Sequence, residues 1–240
     1  MSFSKWHALG NTYLLAERAE LTDALTAERV REACDGDRAD GVLEVLSVDG
    51  DTAEIAIWNP DGSLAEMSGN GTRIAARWLG ETTGAEIVTV RVGPREVVAR
   101  MLAPPFVEQR LAYSVGEPGA AAGVRFTPVD VGNPHAVVEA DPAEVTRLGP
   151  AIENDAQFPN RTNVQVARRL DEKTIEARVW ERGVGETGSS GTSAIAVAAA
   201  LGAKDAKIRF PGGDLHVRLD GEFAYLTGTA ELSSGFGAEP

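Results

Sequence analysis

The chain has a single cysteine, Cys34, among 240 residues. One thiol excludes an internal disulfide and a thiolate metal cage. Histidine is almost as scarce: His7, His135 and His216 lie far apart and lack the spacing of metal ligands. Basic residues are outnumbered, 23 Lys and Arg against 36 Asp and Glu, for a net charge of −13. That balance argues against sequence-independent nucleic-acid binding, which needs a basic face to displace counterions, and against docking on anionic lipid. Long apolar runs are missing too. The longest, Ala194 to Leu201, falls far short of the roughly 20 residues that span a bilayer. The opening MSFSKWHALGN has no charged-then-apolar signal pattern, so a soluble, cytoplasmic protein is expected.

What is present is enough apolar material for a real core, 43% of residues, on a length that fits one large domain or two smaller ones. An internal repeat favours two. Trp58 begins WNPDGS, and Trp180 begins WERGVG. Each tryptophan is followed ten residues later by a serine, Ser68 and Ser190. The shift of 122 residues that carries Ser68 to Ser190 also carries Gly10-Asn11 to Gly132-Asn133, Ser68-Gly69 to Ser190-Gly191 and Leu79-Gly80 to Leu201-Gly202. The chain therefore reads as two copies of one unit, residues 1–116 and 117–240, with the C-terminal tail free to return to the first. A linker is expected at 114–123, SVGEPGAAAG, which is rich in Gly, Ala and Pro and aperiodic.

Short, often alternating, β-branched segments predict strands over 53–58, 86–92, 96–102, 136–139, 174–180, 207–210 and 214–219. PGGDL and LDGEF predict tight turns between strands. Helices are expected over 26–34, 70–79 and 193–201, the last apolar all round and so buried. The fold class is α+β: two pseudo-symmetric halves, each a curled antiparallel or mixed β-sheet around a central α-helix.

Two glycine- and serine-rich turns stand before helices at equivalent places, Met67-Ser68-Gly69-Asn70-Gly71-Thr72 and Gly188-Ser189-Ser190-Gly191-Thr192-Ser193. Small residues let a backbone approach a ligand, and free N–H groups at a helix start favour an anion. Ordinary capping by Ser and Thr explains either turn alone. Their recurrence in both halves turns the reading towards a carboxylate or phosphate held between two helix N-termini. Ser68 and Ser190 would then lie on opposite faces of one ligand, an arrangement suited to removing a proton from one face of a carbon and replacing it on the other.

Nearly the whole chain resembles the diaminopimelate epimerase family of cofactor-independent amino-acid epimerases. The resemblance rests on KWHALGN, CDGDRADG, WNPDGSLAEMSGNGTR, VGNPHAVV, FPNRTNV, VWERGVGETGSSGT, PGGDL and YLTGTAE. It implies two similar halves with the active site in the cleft. It also implies interconversion of LL- and meso-diaminopimelate for lysine and peptidoglycan synthesis, with no metal, pyridoxal phosphate or nucleotide cofactor, and in many relatives a homodimer. Family positions make Ser68, Ser190, His135 and Glu181 the catalytic candidates. Asn11, Asn59, Asn133, Asn163 and Arg182 would hold the substrate's distal amino-acid end. Gly69, Asn70, Gly191 and Thr192 would offer backbone N–H groups to the reacting carboxylate. Singly, the asparagines also read as turn-formers, Glu181-Arg182 as a solvated pair and His135 as a satisfied core histidine.

The chain departs from the family where the chemistry is concentrated. Ser68 and Ser190 stand where the family carries its acid–base cysteines. A thiol titrates near pH 8.5, whereas a hydroxyl stays neutral and is a far weaker base. Losing a matched acid–base group costs about 10² to 10⁴ in rate for each role. The alternative reading is a non-catalytic amino-acid-binding paralogue of the same fold. Smaller departures are Thr12 and Tyr13 in place of the common Asp-Phe, and Ser193 in place of a frequent Gly. Cys34 matches a non-catalytic position and is expected to be buried.

Overall fold

The computed structural model describes residues 3–233. It divides into two compact units. One is the chain up to Gln109 together with the segment from Gly228; the other is Arg110–Thr227. Among the described residues no helix is long and apolar enough to cross a membrane.

In the first unit β1 (Ser4–Ala8) and β2 (Asn11–Glu17) form a hairpin. Its turn uses two left-handed residues, Leu9 and Gly10, at φ 49° and 83°. Helix α1 (Ala27–Asp37) is capped by Thr26, which accepts from the Arg29 N–H, and ends at left-handed Arg38. Strand β3 (Gly41–Asp49) runs parallel to β2, and β4 (Thr52–Trp58) returns antiparallel to β3. After the short β5 (Leu64–Ala65) comes α2 (Gly69–Thr83), then β6 (Ile87–Val92), parallel to β4, and β7 (Arg95–Met101), antiparallel to β6. The core forms around α2: Ile74, Ala75, Ala76, Trp78 and Leu79 pack with Trp6, Leu15, Leu43, Ile55, Val90 and Ala99 from the strands. Helix α1 covers the opposite face of β2 and β3, where Val30 and Cys34 meet Leu14 and Val42.

Strand β8 (Phe106–Ala112) carries the chain into the second unit. The stretch expected to be an aperiodic linker holds two short strands instead, β9 (Ser114–Val115) and β10 (Gly119–Ala121), both paired with β11 (Val124–Asp130). Packing explains the difference. Ala121 is buried, and a Cβ at Gly119 would lie 2.6 Å from the Phe126 ring, so this glycine permits close approach rather than flexibility. Strand β12 (Pro134–Glu139) is followed by α3 (Val145–Glu153) and by β13 (Asn163–Arg169), which is parallel to β12. Strand β14 (Thr174–Glu181) and the short β15 (Gly185–Thr187) lead to α4 (Gly191–Ala200). Then β16 (Asp205–Phe210) pairs parallel with β14, and β17 (Gly213–Asp220) and β18 (Phe223–Thr229) complete a meander through the two anticipated turns. Finally β19 (Glu231–Leu232) pairs with β1 in the first unit, Leu232 opposite Trp6.

Helix α4 is buried from Gly191 to Ala198, as its unbroken apolar surface requires. Helix α3 plays the part of α1, packing Val145, Leu148 and Ile152 on Ala136, Val138, Val164 and Val166. Strand register repeats the sequence offset. Tyr13 lies opposite Gly41, and His135 opposite Asn163; Val42 lies opposite Trp58, and Val164 opposite Trp180. Each tryptophan that precedes a serine turn is anchored by a buried carboxylate. Trp58 Nε1 donates to Glu44 at 3.0 Å, and Trp180 Nε1 donates to Glu153 at 2.7 Å.

Candidate active site

In the first unit Ser68 is the N-cap of α2. Its Oγ accepts from the Gly71 N–H at 3.0 Å, and its carbonyl accepts from the Thr72 N–H at 2.9 Å. Gly69 and Asn70 open the helix, where N–H groups have no intrahelical acceptor and the dipole favours an anion. Asn70 is buried, and its Oδ1 accepts from Arg73 Nη2 at 2.5 Å. Arg73 is fully buried. Its Nε donates to the Thr229 carbonyl at 3.0 Å, Nη1 has no hydrogen-bond partner among the described residues, and burial pushes its guanidinium down to about 10. A cationic group thus lies one turn inside a helix whose start already favours anions. The second contact of Ser68 Oγ is Tyr13 Oη, at 3.0 Å.

Asn59 does not belong to that group by contact. Its Nδ2 donates to Ser63 Oγ at 3.0 Å, and it closes the NPDGS turn. Asn11 begins β2 directly after left-handed Gly10, as Asn133 follows left-handed Gly132 in the second unit.

The second unit brings together more of the expected residues. Ser190 is the N-cap of α4, but its side chain caps no backbone N–H. His135 is buried on β12, with both ring nitrogens engaged. Nε2 lies 2.9 Å from Asn133 Oδ1, and Nδ1 lies 2.9 Å from Gln165 Nε2. A carboxamide oxygen only accepts and a carboxamide nitrogen only donates, so this arrangement is the neutral tautomer with its proton on Nε2. Burial pushes the imidazole down to about 3; the Arg182 charge acts the same way, and the bond to Gln165 opposes it. With Oδ1 committed to His135, Asn133 turns its Nδ2 towards Thr192 Oγ1, at 3.5 Å. Gln165 Nε2 also donates to Ser193 Oγ at 3.0 Å, while its buried Oε1 has no hydrogen-bond partner among the described residues.

Asn163 joins two backbone segments: Nδ2 donates to the Pro134 carbonyl at 2.9 Å, and Oδ1 accepts from the Arg182 N–H at 3.0 Å. The Arg182 guanidinium reaches the Asn160 carbonyl at 3.4 Å. Glu181 Oε1 accepts a short hydrogen bond from Thr187 Oγ1. Asn133, His135, Asn163, Arg182 and Thr192 therefore form one connected neighbourhood beside the start of α4. Sequence reasoning gave Gln165, Ser193, Arg73 and Tyr13 no site role. A signal existed for Tyr13: the offset of 122 residues places it at the repeat position of His135, so each half carries a titratable ring there.

The fold is one found in an amino-acid epimerase, and the family gives the class. The chain has the fold of a hydroxyproline epimerase from Agrobacterium vitis (TM-score 0.70, 16% identity, covering 96% of this chain and 88% of that one). It also has the fold of a phenazine biosynthesis protein of the PhzF family from Enterococcus faecalis (TM-score 0.70, 13% identity, 98% of each chain). The family model for diaminopimelate epimerase matches residues 3–99 and 127–233, and the chain belongs to that family. It is 34% identical to diaminopimelate epimerase 2 of Nostoc sp., covering 93% of this chain and 90% of that one. It is 35% identical to the diaminopimelate epimerase of Xanthomonas axonopodis pv. citri, with coverage of 92% and 90%.

Proposed function

We propose that this chain is a diaminopimelate epimerase-type enzyme, interconverting LL- and meso-diaminopimelate by two-base transfer of the α-proton in the synthesis of lysine and peptidoglycan precursors. The observation that carries the reading is the repeated unit of strand, turn and serine-headed helix, at Ser68 and again at Ser190, in a chain of this family.

The reaction needs anion stabilisation, one group to remove a proton and another to return one. Helix-start N–H groups at Gly69 and Asn70, and at Gly191 and Thr192, are suited to a carboxylate whose negative charge grows as the proton leaves. Arg73 adds buried positive charge behind the first of these. Asn11, Asn59, Asn133, Asn163 and Arg182 are assigned to the substrate's distal end. Arg182 suits a bidentate carboxylate contact. Glu181 is assigned to an ammonium group. His135 is assigned to orienting Asn133, because a neutral ring with both nitrogens engaged is fixed in its tautomer.

Ser68 and Ser190 take the acid–base positions with hydroxyls, so turnover is slow. Exchanging both for cysteine (Ser68→Cys with Ser190→Cys) is expected to raise LL-to-meso conversion by at least about 10². The assay is a coupled or chiral chromatographic measurement on purified protein. No gain in a folded double variant would overturn the assignment of these two positions. A homodimer belongs to the same proposal and is read by sedimentation velocity.

A further inference from the structure

We propose that Tyr13 is the acid–base group of the first half: its phenol, 3.0 Å from Ser68 Oγ, takes and returns the substrate's α-proton by way of the serine hydroxyl. This role rests on the epimerase reading above.

The ring is held, not loosely placed. Tyr13 is buried on β2, with Trp6 opposite it on β1 and Gly41 opposite it on β3. Gly41 makes the room, since a Cβ there would lie 2.8 Å from Tyr13 Cε1. Ser68 Oγ accepts from the Gly71 N–H, and its bond with Tyr13 Oη can run in either direction, so the serine proton has a path to the phenol oxygen once that group is ionised. Ser68 itself is half-buried at the helix start, where a reacting group can meet it.

The chemistry follows from ordinary acidities. A phenol titrates near pH 10 and a thiol near 8.5, so at pH 8 about 1% of an unperturbed phenol is ionised against about a quarter of a thiol. A tyrosine behind a serine is thus a weaker source of base than a cysteine. A serine alone offers no titratable group at all. In the step, the Cα–H bond breaks and its proton bonds to Ser68 Oγ. The proton Oγ held before passes to the Tyr13 phenolate. The electron pair stays on the substrate and spreads into its carboxylate at the helix N-terminus. The reverse step restores every bond.

The second half lacks this device. The residue at the repeat position of Tyr13 is His135, engaged by Asn133 and Gln165, and Ser190 Oγ has no titratable hydrogen-bond partner among the described residues. Proton removal and return on the Tyr13 side therefore outpace delivery from the other side. The unmodified chain should exchange its substrate's α-hydrogen with solvent faster than it inverts the carbon.

The test follows diaminopimelate in heavy water by mass spectrometry, with chiral chromatography for inversion and calorimetry for binding. Deuterium is expected to enter faster than the epimer forms. Tyr13→Phe should lower exchange by at least about 10² while leaving the binding constant within about threefold. In a Ser68→Cys background the same Tyr13→Phe change should matter less than about tenfold, because the thiol supplies the base. Undiminished exchange in Tyr13→Phe, or binding without exchange in the unmodified chain, overturns the role of Tyr13 alone. A loss as large with Cys at 68 as with Ser assigns Tyr13 to packing and also overturns it. Absence of binding and turnover in both the unmodified chain and the double-cysteine variant overturns the epimerase reading, and this role with it.

Discussion

His135 makes the stability of this protein depend on pH in a way that one substitution removes. Burial takes its imidazole from an ordinary value of 6.5 down to about 3. An unfolded chain binds a proton at this residue as pH falls through 6.5, while the folded chain refuses one until about 3. The stability contributed by the neutral ring is therefore complete above pH 6.5 and is lost progressively as pH drops towards 3. At pH 4.5 two units of that interval have been crossed, and at about 1.4 kcal/mol per unit the loss is roughly 3 kcal/mol. His135→Gln abolishes the titration. It also removes the bonds to Asn133 and Gln165, at a pH-independent cost of about 1–3 kcal/mol for buried groups left unpaired. Urea unfolding at pH 7.5 and 4.5, on both proteins, separates the two effects. The variant should be the weaker at pH 7.5, and the gap should close by roughly 3 kcal/mol at pH 4.5. His7 and His216 are exposed and common to both proteins, so they cancel. Parallel pH dependences would refute the argument that this ring is held neutral.

Three further predictions concern the scaffold. Ser68→Ala should cost about 1 kcal/mol through the lost bond to the Gly71 N–H, and Ser190→Ala clearly less, because Ser190 caps nothing; equal losses in chemical denaturation would contradict that asymmetry. Cys34 is buried, and its thiol is pushed up to about 11 by burial and by Asp35, Asp40 and Asp37, so a thiol reagent at pH 8 should modify it at least about 10² more slowly in the folded than in the urea-unfolded chain. Gly36 lies inside α1 with open space where a Cβ would go, so Gly36→Ala should stabilise by about 0.5–1 kcal/mol; at Gly149 a Cβ would lie 2.5 Å from Trp180 Cγ, so Gly149→Ala should destabilise by about 1–3 kcal/mol, with calorimetric melting reading both signs.

The hairpins around PGGDL and LDGEF and the buried α4 were legible because turn chemistry and an unbroken apolar surface are local signals. Strands β2, β3 and β13 were not read. Leu14 and Leu15, and Val42 and Leu43, are buried in alternation against one helix or the other, α1 on one face and α2 on the opposite face. A strand covered on both faces shows a continuous apolar run rather than a period of two. Helix α3 was hidden by Gly149 and Pro150, and the glycine is there because the Trp180 ring presses against it. Among site residues, the serine turns and Asn133 announced themselves through the repeat. Gln165 did not, because a lone polar residue on a buried strand acquires its meaning only from what packs against it, here His135 and Ser193.

The strand pairing of β19 with β1 sets an order of events during synthesis. The first unit needs Thr229 to receive Arg73 and Ala230 to fill its core, yet the whole of the second unit must be translated before those residues exist. At ribosomal speeds of about 5–20 residues per second, that leaves the nascent amino-terminal half unfinished for on the order of ten seconds. The half that is made first is the last to close, and a gene cut at its midpoint encodes no complete copy of either.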